Sequence, residues 1–202
     1  MPSSRLDPSR LEISLLTEAD GPLPAFSCGD DDLDAFLRDD AIGLQADNVT
    51  RVYLAWYRIE FQDASALVGY AALVASTIEL ATREKKRCNL QGLHYKLIPA
   101  VKLGRLAVST QFKQVFSGCG TVLVREAVKS AWDAQEIIGC RLLTVDAYRS
   151  SVEFYKKLGF SWRHSEENDP GKETVTMWLD LDAESTDTFV SQDPGARNAQ
   201  AP

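Results

Sequence analysis

Leu103-Gly104-Arg105-Leu106-Ala107-Val108, followed ten residues later by Gly118-Cys119-Gly120 and then by a helix-like run, is the stretch on which the fold turns. An apolar strand that feeds a Gly-x-Gly turn opening a helix is an arrangement suited to phosphate. The first N–H groups of a helix have no internal partner, and the helix dipole places roughly +0.5 charge at that end. Glycine fits such a turn because backbone must approach the phosphates closely and no Cβ intrudes.

Working outward, the next informative stretch is Ser151-Val152-Glu153-Phe154-Tyr155-Lys156-Lys157-Leu158-Gly159-Phe160. Ser150 and Glu153 form an S-x-x-E capping box that predicts the start of a short helix. Lys156 and Lys157 suit its negative end, and Gly159 is the expected left-handed stop. The Phe154-Tyr155 pair, placed just before that stop, sets a phenol on the helix.

On either side the pattern is that of a mixed α/β domain. Leu11–Leu16 alternates as a half-buried strand. Leu33, Phe36, Leu37, Ala41 and Leu44 fall at helical spacing, with Ser27 and Asp30 approximating a capping box at the front. The cluster Asp30-Asp31-Asp32 reads as helix initiation, since negative charge is favoured at that end and a hard-cation site needs converging oxygens. Residues 51–58 and 66–75 read as paired strands, the second apolar nearly throughout and so covered on both faces. Residues 81–99 read as a long connection, 102–108 as a strand, 119–134 as a helix and 140–147 as a strand. Phe160–Arg163 and Thr174–Leu181 read as a closing hairpin around Asp169-Pro170-Gly171. The order is β-α-β-β-β-α-β-α-β-β.

The 202 residues suit one domain at 10–181, preceded by a flexible stretch at 1–9. Past Asp182 the composition turns to Ser, Thr, Asp, Gln, Pro and Gly, which predicts a disordered tail over 182–202. Hydrophobic residues make up 45% and charged residues 25%, as in ordinary globular proteins. The longest apolar run, Ala66–Ala75, is too short to cross a bilayer, and Met1–Arg5 lacks the apolar core of a signal peptide, so the expected location is the cytoplasm, with no membrane partner. The four cysteines are widely spaced and accompanied by only two histidines, which argues against a metal site and for reduced, buried thiols. Net charge is −7, yet Arg83–Lys113 holds eight basic residues against one acid, Glu84. That excess flanks the proposed phosphate site and would draw an anionic ligand, although a solvated loop gives the same composition.

Together the two quoted stretches resemble the acyl-CoA-dependent N-acetyltransferases of the GNAT superfamily, over about residues 10–181. The resemblance implies a mixed sheet, splayed between strands 102–108 and 140–147 and flanked by helices, with acetyl-CoA as cosubstrate and no metal. By position, Leu106, Ala107 and Val108 would offer backbone groups to the pantetheine. Ser117, Gly118, Cys119, Gly120 and Thr121 would present N–H groups to the pyrophosphate. The turn departs from the family pattern. Val115 stands where a polar residue belongs, with Gln114 beside it, and the interval after Val108 is about two residues longer. Tyr155 would be the general acid that protonates the leaving thiolate, a phenol of reference pKa ~10 being matched to a thiol. Glu79 is the candidate general base and Asp146 its rival, while a water relay or a plain surface role fits either carboxylate. Cys119, in the phosphate turn and without a nearby base, does not suit covalent chemistry.

Three functions stay open on the sequence. The first is acetyl transfer to a small or protein amine. The second rests on Phe26-Ser27-Cys28-Gly29 with Leu33 and Phe36-Leu37, and on Ile98–Val108, which resemble the acetyltransferase toxins of toxin–antitoxin pairs. That resemblance implies acetylation of the amine of charged tRNA and neutralisation by a small ribbon-helix-helix antitoxin protein, with the basic stretch serving RNA phosphates. The third is a non-catalytic CoA-binding or interaction module. The acceptor amine and a homodimer are left undecided.

Overall fold

The computed structural model describes residues 4–5, 10–59, 65–163, 171–183 and 186. The elements are β1 (Ser4–Arg5), β2 (Leu11–Leu15), α1 (Asp31–Ala35), a π-helical turn (Phe36–Asp40), α2 (Ala41–Ala46), β3 (Arg51–Arg58) and β4 (Ser65–Glu79). There follow α3 (Thr82–Arg87), β5 (Leu97–Val108), α4 (Thr110–Val115), β6 (Phe116–Ser117), α5 (Cys119–Ile138), β7 (Leu142–Tyr148), α6 (Val152–Lys157), β8 (Ser161–Trp162) and β9 (Thr174–Asp180). Seven strands make one mixed sheet in the order β2-β3-β4-β5-β7-β9-β8. Pairing is parallel for β5–β7 and antiparallel for β2–β3, β3–β4, β7–β9 and β8–β9. The expected mixed sheet flanked by helices is what forms, and β8 pairs antiparallel with β9 as expected of the closing strands, while Asp169 and Pro170 of the expected turn lie outside the described residues.

The described residues divide into two compact units. One holds those up to Val74 together with Gly104–Glu126; the other holds Ala75–Leu103 and those from Ala127 on.

In the first unit, α1, the π turn and α2 run on as one helical stretch that is too short in its parts to be stable alone. Packing supplies the stability: Phe36, Leu37 and Ala41 are buried against Leu54, Leu67, Tyr70 and Ala107, as the apolar spacing predicts. The expected Ser27–Asp30 box is replaced by a simpler cap. Asp30 itself is the N-cap, and its carboxylate accepts from the Asp32 and Leu33 N–H groups. Asp is as good a capping residue as Ser, and here it stands one residue before the helix. β4 is buried on both faces from Val68 to Leu73, in keeping with its apolar run.

In the second unit, Ile78, Leu80, Cys88, Ile98, Ala100, Leu142 and Trp178 form a core. The stretch 81–99 is not only a connection. It folds into α3, with buried Glu84 accepting from the Ala81 N–H at 2.7 Å, and β5 begins at Leu97, five residues before the expected 102. Arg141 pairs with Asp180 and Asp182 and donates to the Cys88 carbonyl. At α6 the expected Ser150–Glu153 box does not form: Arg149–Ser151 is a 3-10 turn, and Glu153 accepts from Lys156 instead. Gly159 does stop the helix, at φ +91°.

All four cysteines are buried and unpaired, as expected. The expected flexible stretch at 1–9 lies outside the described residues except for β1, which pairs with β6. Of the expected disordered tail, Asp182, Ala183 and Thr186 are described. Asp182 pairs with Arg141, and Thr186 is buried, its hydroxyl donating to the Asp180 carbonyl at 2.8 Å.

Candidate functional site

The first unit carries the strand end and the turn. The paired register of β5 with β7 covers Ala100–Leu103, so Leu106, Ala107 and Val108 lie past it on β5. Ala107 and Val108 are buried and Leu106 is half-buried. Ser109 then donates its N–H to the Val68 carbonyl at 2.7 Å, which fixes where the chain leaves the strand. Beside this end lies a cavity of about 320 Å³ lined by residues that include Phe26, Ser27, Leu67, Ser109 and Thr110.

The extra length after Val108 is a helical turn. Phe112 and Lys113 both donate N–H groups to the Ser109 carbonyl, and the Lys113 ammonium donates to the Cys28 carbonyl at 3.3 Å. A sequence reading misses α4 because six residues carry too little periodicity to register. The chain then crosses β6 and reaches Gly118 at φ +105°, a conformation glycine adopts without strain. Helix α5 begins at Cys119, and Val122 N–H to Gly118 O is the bond that opens its ladder. The N–H groups of Cys119, Gly120 and Thr121 therefore precede the ladder, at the positive end of a helix of 20 residues. Cys119 itself is buried, and desolvation raises its pKa, the opposite of what a nucleophile needs.

The second unit carries Tyr155, Glu79 and Asp146. Tyr155 sits on α6 with its ring against Phe154 and Phe160, at centroid distances of 5.0 and 5.3 Å. It is 5% exposed, and burial raises its hydroxyl pKa above the ordinary tyrosine value. A phenol so placed keeps its proton through neutral pH, as a general acid must. Glu79, at the end of β4, pairs with Lys96 at 3.5 Å. Asp146 lies one residue past the parallel ladder on β7. It accepts from the Lys102 ammonium on one oxygen and from the Thr176 hydroxyl, at 3.0 Å, on the other. Neither link was visible in sequence, since the partners lie 44 and 30 positions away.

The basic stretch is partly committed to structure. Lys85 donates to the carbonyls of Leu93 and Tyr95, and Arg87 donates to Ser161 while lying over the Trp178 ring. Lys86 is exposed. Among the described residues no helix is long and apolar enough to cross a membrane.

No family model matches the chain. Solved structures do. A tyrosine-to-phenylalanine variant of KacT superposes with a TM-score of 0.69 at 23% identity, over 90% of this chain and 98% of that one. AtaT complexed with acetyl-methionyl-tRNAfMet gives 0.66 at 26% identity, over 84% and 94%. A tyrosine-to-phenylalanine variant of the AtaT toxin, bound to the C-terminus of the antitoxin AtaR and acetyl-CoA, gives 0.65 at 26% identity, over 89% and 96%.

Proposed function

We propose, from a GNAT-like fold shared with KacT and with the AtaT toxin, that the chain is an acetyl-CoA-dependent N-acetyltransferase whose acceptor is the amine of an aminoacyl-tRNA. The observation that carries the donor half is the passage from β5, past its parallel ladder, through Gly118 into α5. It ends in three successive N–H groups, from Cys119, Gly120 and Thr121, ahead of the helical ladder. The donor set fits a pyrophosphate, which needs N–H donors at a positive helix end and no intruding Cβ.

In this reading Ser117–Thr121 hold the phosphates, and the backbone of Leu106–Val108 pairs with the pantetheine as an added strand would. Bound acetyl-CoA supplies an acetyl group activated as a thioester. Tyr155 donates its hydroxyl proton to the sulfur as the carbon–sulfur bond breaks, a role its burial favours by keeping the proton in place. Glu79 or Asp146 takes up the proton shed by the amine, directly or through water. The acceptor half draws its support from the AtaT complex with acetyl-methionyl-tRNAfMet, and a short antitoxin segment is the partner suggested by the complex with AtaR.

The test is thiol release from acetyl-CoA in the presence of methionyl-tRNA, of pooled small amines, or of neither. Release that requires charged tRNA is the expected result. Release with small amines alone would replace the acceptor and keep the donor. Tight CoA binding with no release in any arm would leave a ligand-binding module.

A further inference from the structure

We propose that Arg105 is an anion-binding residue of the acceptor site, its guanidinium taking an acidic group carried by the amine substrate, either the carboxylate of an amino acid or the phosphodiester of an aminoacyl-RNA. The proposal rests on the acetyl-transfer reading above and adds to it what the acceptor must carry.

Arg105 is a cation with no carboxylate partner among the described residues, although the chain is net −7. Its side chain is half-buried, and its Nε is buried without a hydrogen-bond partner. Leaving a buried donor unsatisfied is costly, and a guanidinium offers five donors in one plane. Two of the acids at the neighbouring helix are committed elsewhere. Asp30 caps α1, and Asp34 accepts from the Cys28 N–H at 2.8 Å.

What holds Arg105 is an aromatic shelf. Its guanidinium carbon lies 4.1 Å from the Phe36 ring centroid, and Phe36 stacks on Tyr70 at 5.7 Å. Tyr70 is fully buried and donates its hydroxyl to the Leu33 carbonyl at 2.8 Å, so the shelf is rigid. A cation–π contact satisfies one face of a guanidinium and leaves its N–H edge for a carboxylate or phosphate, which that fork fits in bidentate fashion. Phe36 also opens the π-helical turn Phe36–Asp40, and such turns are frequent at functional sites because they re-aim side chains.

Position supplies the ligand class. The phosphate turn follows the C-terminal end of Leu106–Val108, so a thioester lying along that segment points toward its N-terminal end. Arg105 is the next residue beyond that end, about 3.3 Å of strand further on. An acceptor amine at the thioester would bring its adjoining groups within reach of a long arginine side chain.

The experiment compares kcat/KM for methionine, methioninamide and methionyl-tRNA in the wild type, Arg105→Gln and Arg105→Lys, with melting temperature measured on each preparation. Arg105→Gln should cut the preference for an anionic acceptor over the neutral amide at least tenfold, through KM more than kcat, and Arg105→Lys should keep part of it. Loss confined to methionyl-tRNA assigns the phosphodiester; loss confined to methionine assigns the carboxylate. An unchanged preference, with or without a fall in melting temperature, overturns the proposal and leaves Arg105 a packing residue. If the wild type releases no thiol with any acceptor, the transfer reading fails instead. Arg105 is then judged by the salt dependence of uncharged tRNA binding. Its slope should shrink by about one in Arg105→Gln if a phosphate is held, and an unchanged slope overturns the proposal.

Discussion

A methyl group on Gly69 would stand 2.3 Å from the carbonyl oxygen of Ala107 and 3.2 Å from the Val108 Cα. There is therefore no room for a side chain at 69 where β4 lies against the segment of β5 proposed to hold the cofactor. Gly69→Ala would push the Ala107 peptide, which cannot swing aside as a flexible side chain would. Overpacking of this kind costs about 1–3 kcal/mol. For a chain of this length that is a fall of a few to about ten degrees in melting temperature. Calorimetry of the variant with and without CoA is the check, and CoA affinity should fall along with stability. An unshifted melting curve would mean that the strands can part without cost.

Gly120→Glu places a carboxylate among the three N–H groups that open α5. Like charges at a phosphate site repel, so CoA affinity should fall at least tenfold, or about 1.4 kcal/mol. Titration calorimetry on the folded variant reads this directly. Equal affinity would move the phosphates away from residues 117–121.

Tyr155→Phe removes one hydroxyl and keeps the ring contacts with Phe154 and Phe160. If Tyr155 is the acid, turnover should drop by about 10²–10⁴ while the melting temperature stays within a degree or two. Because burial disfavours the phenolate, the hydroxyl pKa is raised and the acid form persists upward in pH. The alkaline limb of turnover against pH should therefore lie above the ordinary tyrosine range. Turnover in the variant within threefold of wild type would leave Tyr155 as packing alone.

The buried thiols give a test independent of function. Burial, then the Asp34 hydrogen bond, raises Cys28 to about 11; burial, then the charge of Asp180, raises Cys88 to about 12. Burial also raises Cys119 and Cys140. At pH 8 a thiol of pKa 11 is about 0.1% thiolate, and the thiolate is the reactive form. Ellman's reagent should react slowly with the native protein and with four thiols at once after unfolding. A fast native thiol would place that cysteine at an open surface.

The local signals were legible because their physics is local. Gly118 and Gly159 adopt the positive φ that glycine tolerates, at a turn and at a helix stop. The helical spacing of Phe36, Leu37 and Ala41 and the apolar run of β4 each state which face is buried. Cap geometry was less legible. Asp30 outcompeted Ser27, and Ser150 makes no box, because one residue of shift decides which N–H a short side chain reaches.

By itself the sequence determined the periodicities, the glycine turns and the order of the longer elements, since these depend on φ/ψ preferences and on burial over a few neighbouring residues. Only the tertiary structure decided the sheet order, the helical turn after Val108, and the partners of charged groups far apart in the chain. Lys102 lies 44 positions from Asp146, and Arg105 is far from Phe36 in sequence although its guanidinium carbon sits 4.1 Å from that ring's centroid. The reason is that a charge or a ring carries no mark in sequence of what it will meet. Which strand lies beside which, and where one stops pairing, is a balance of loop closure and side-chain packing summed over the whole domain.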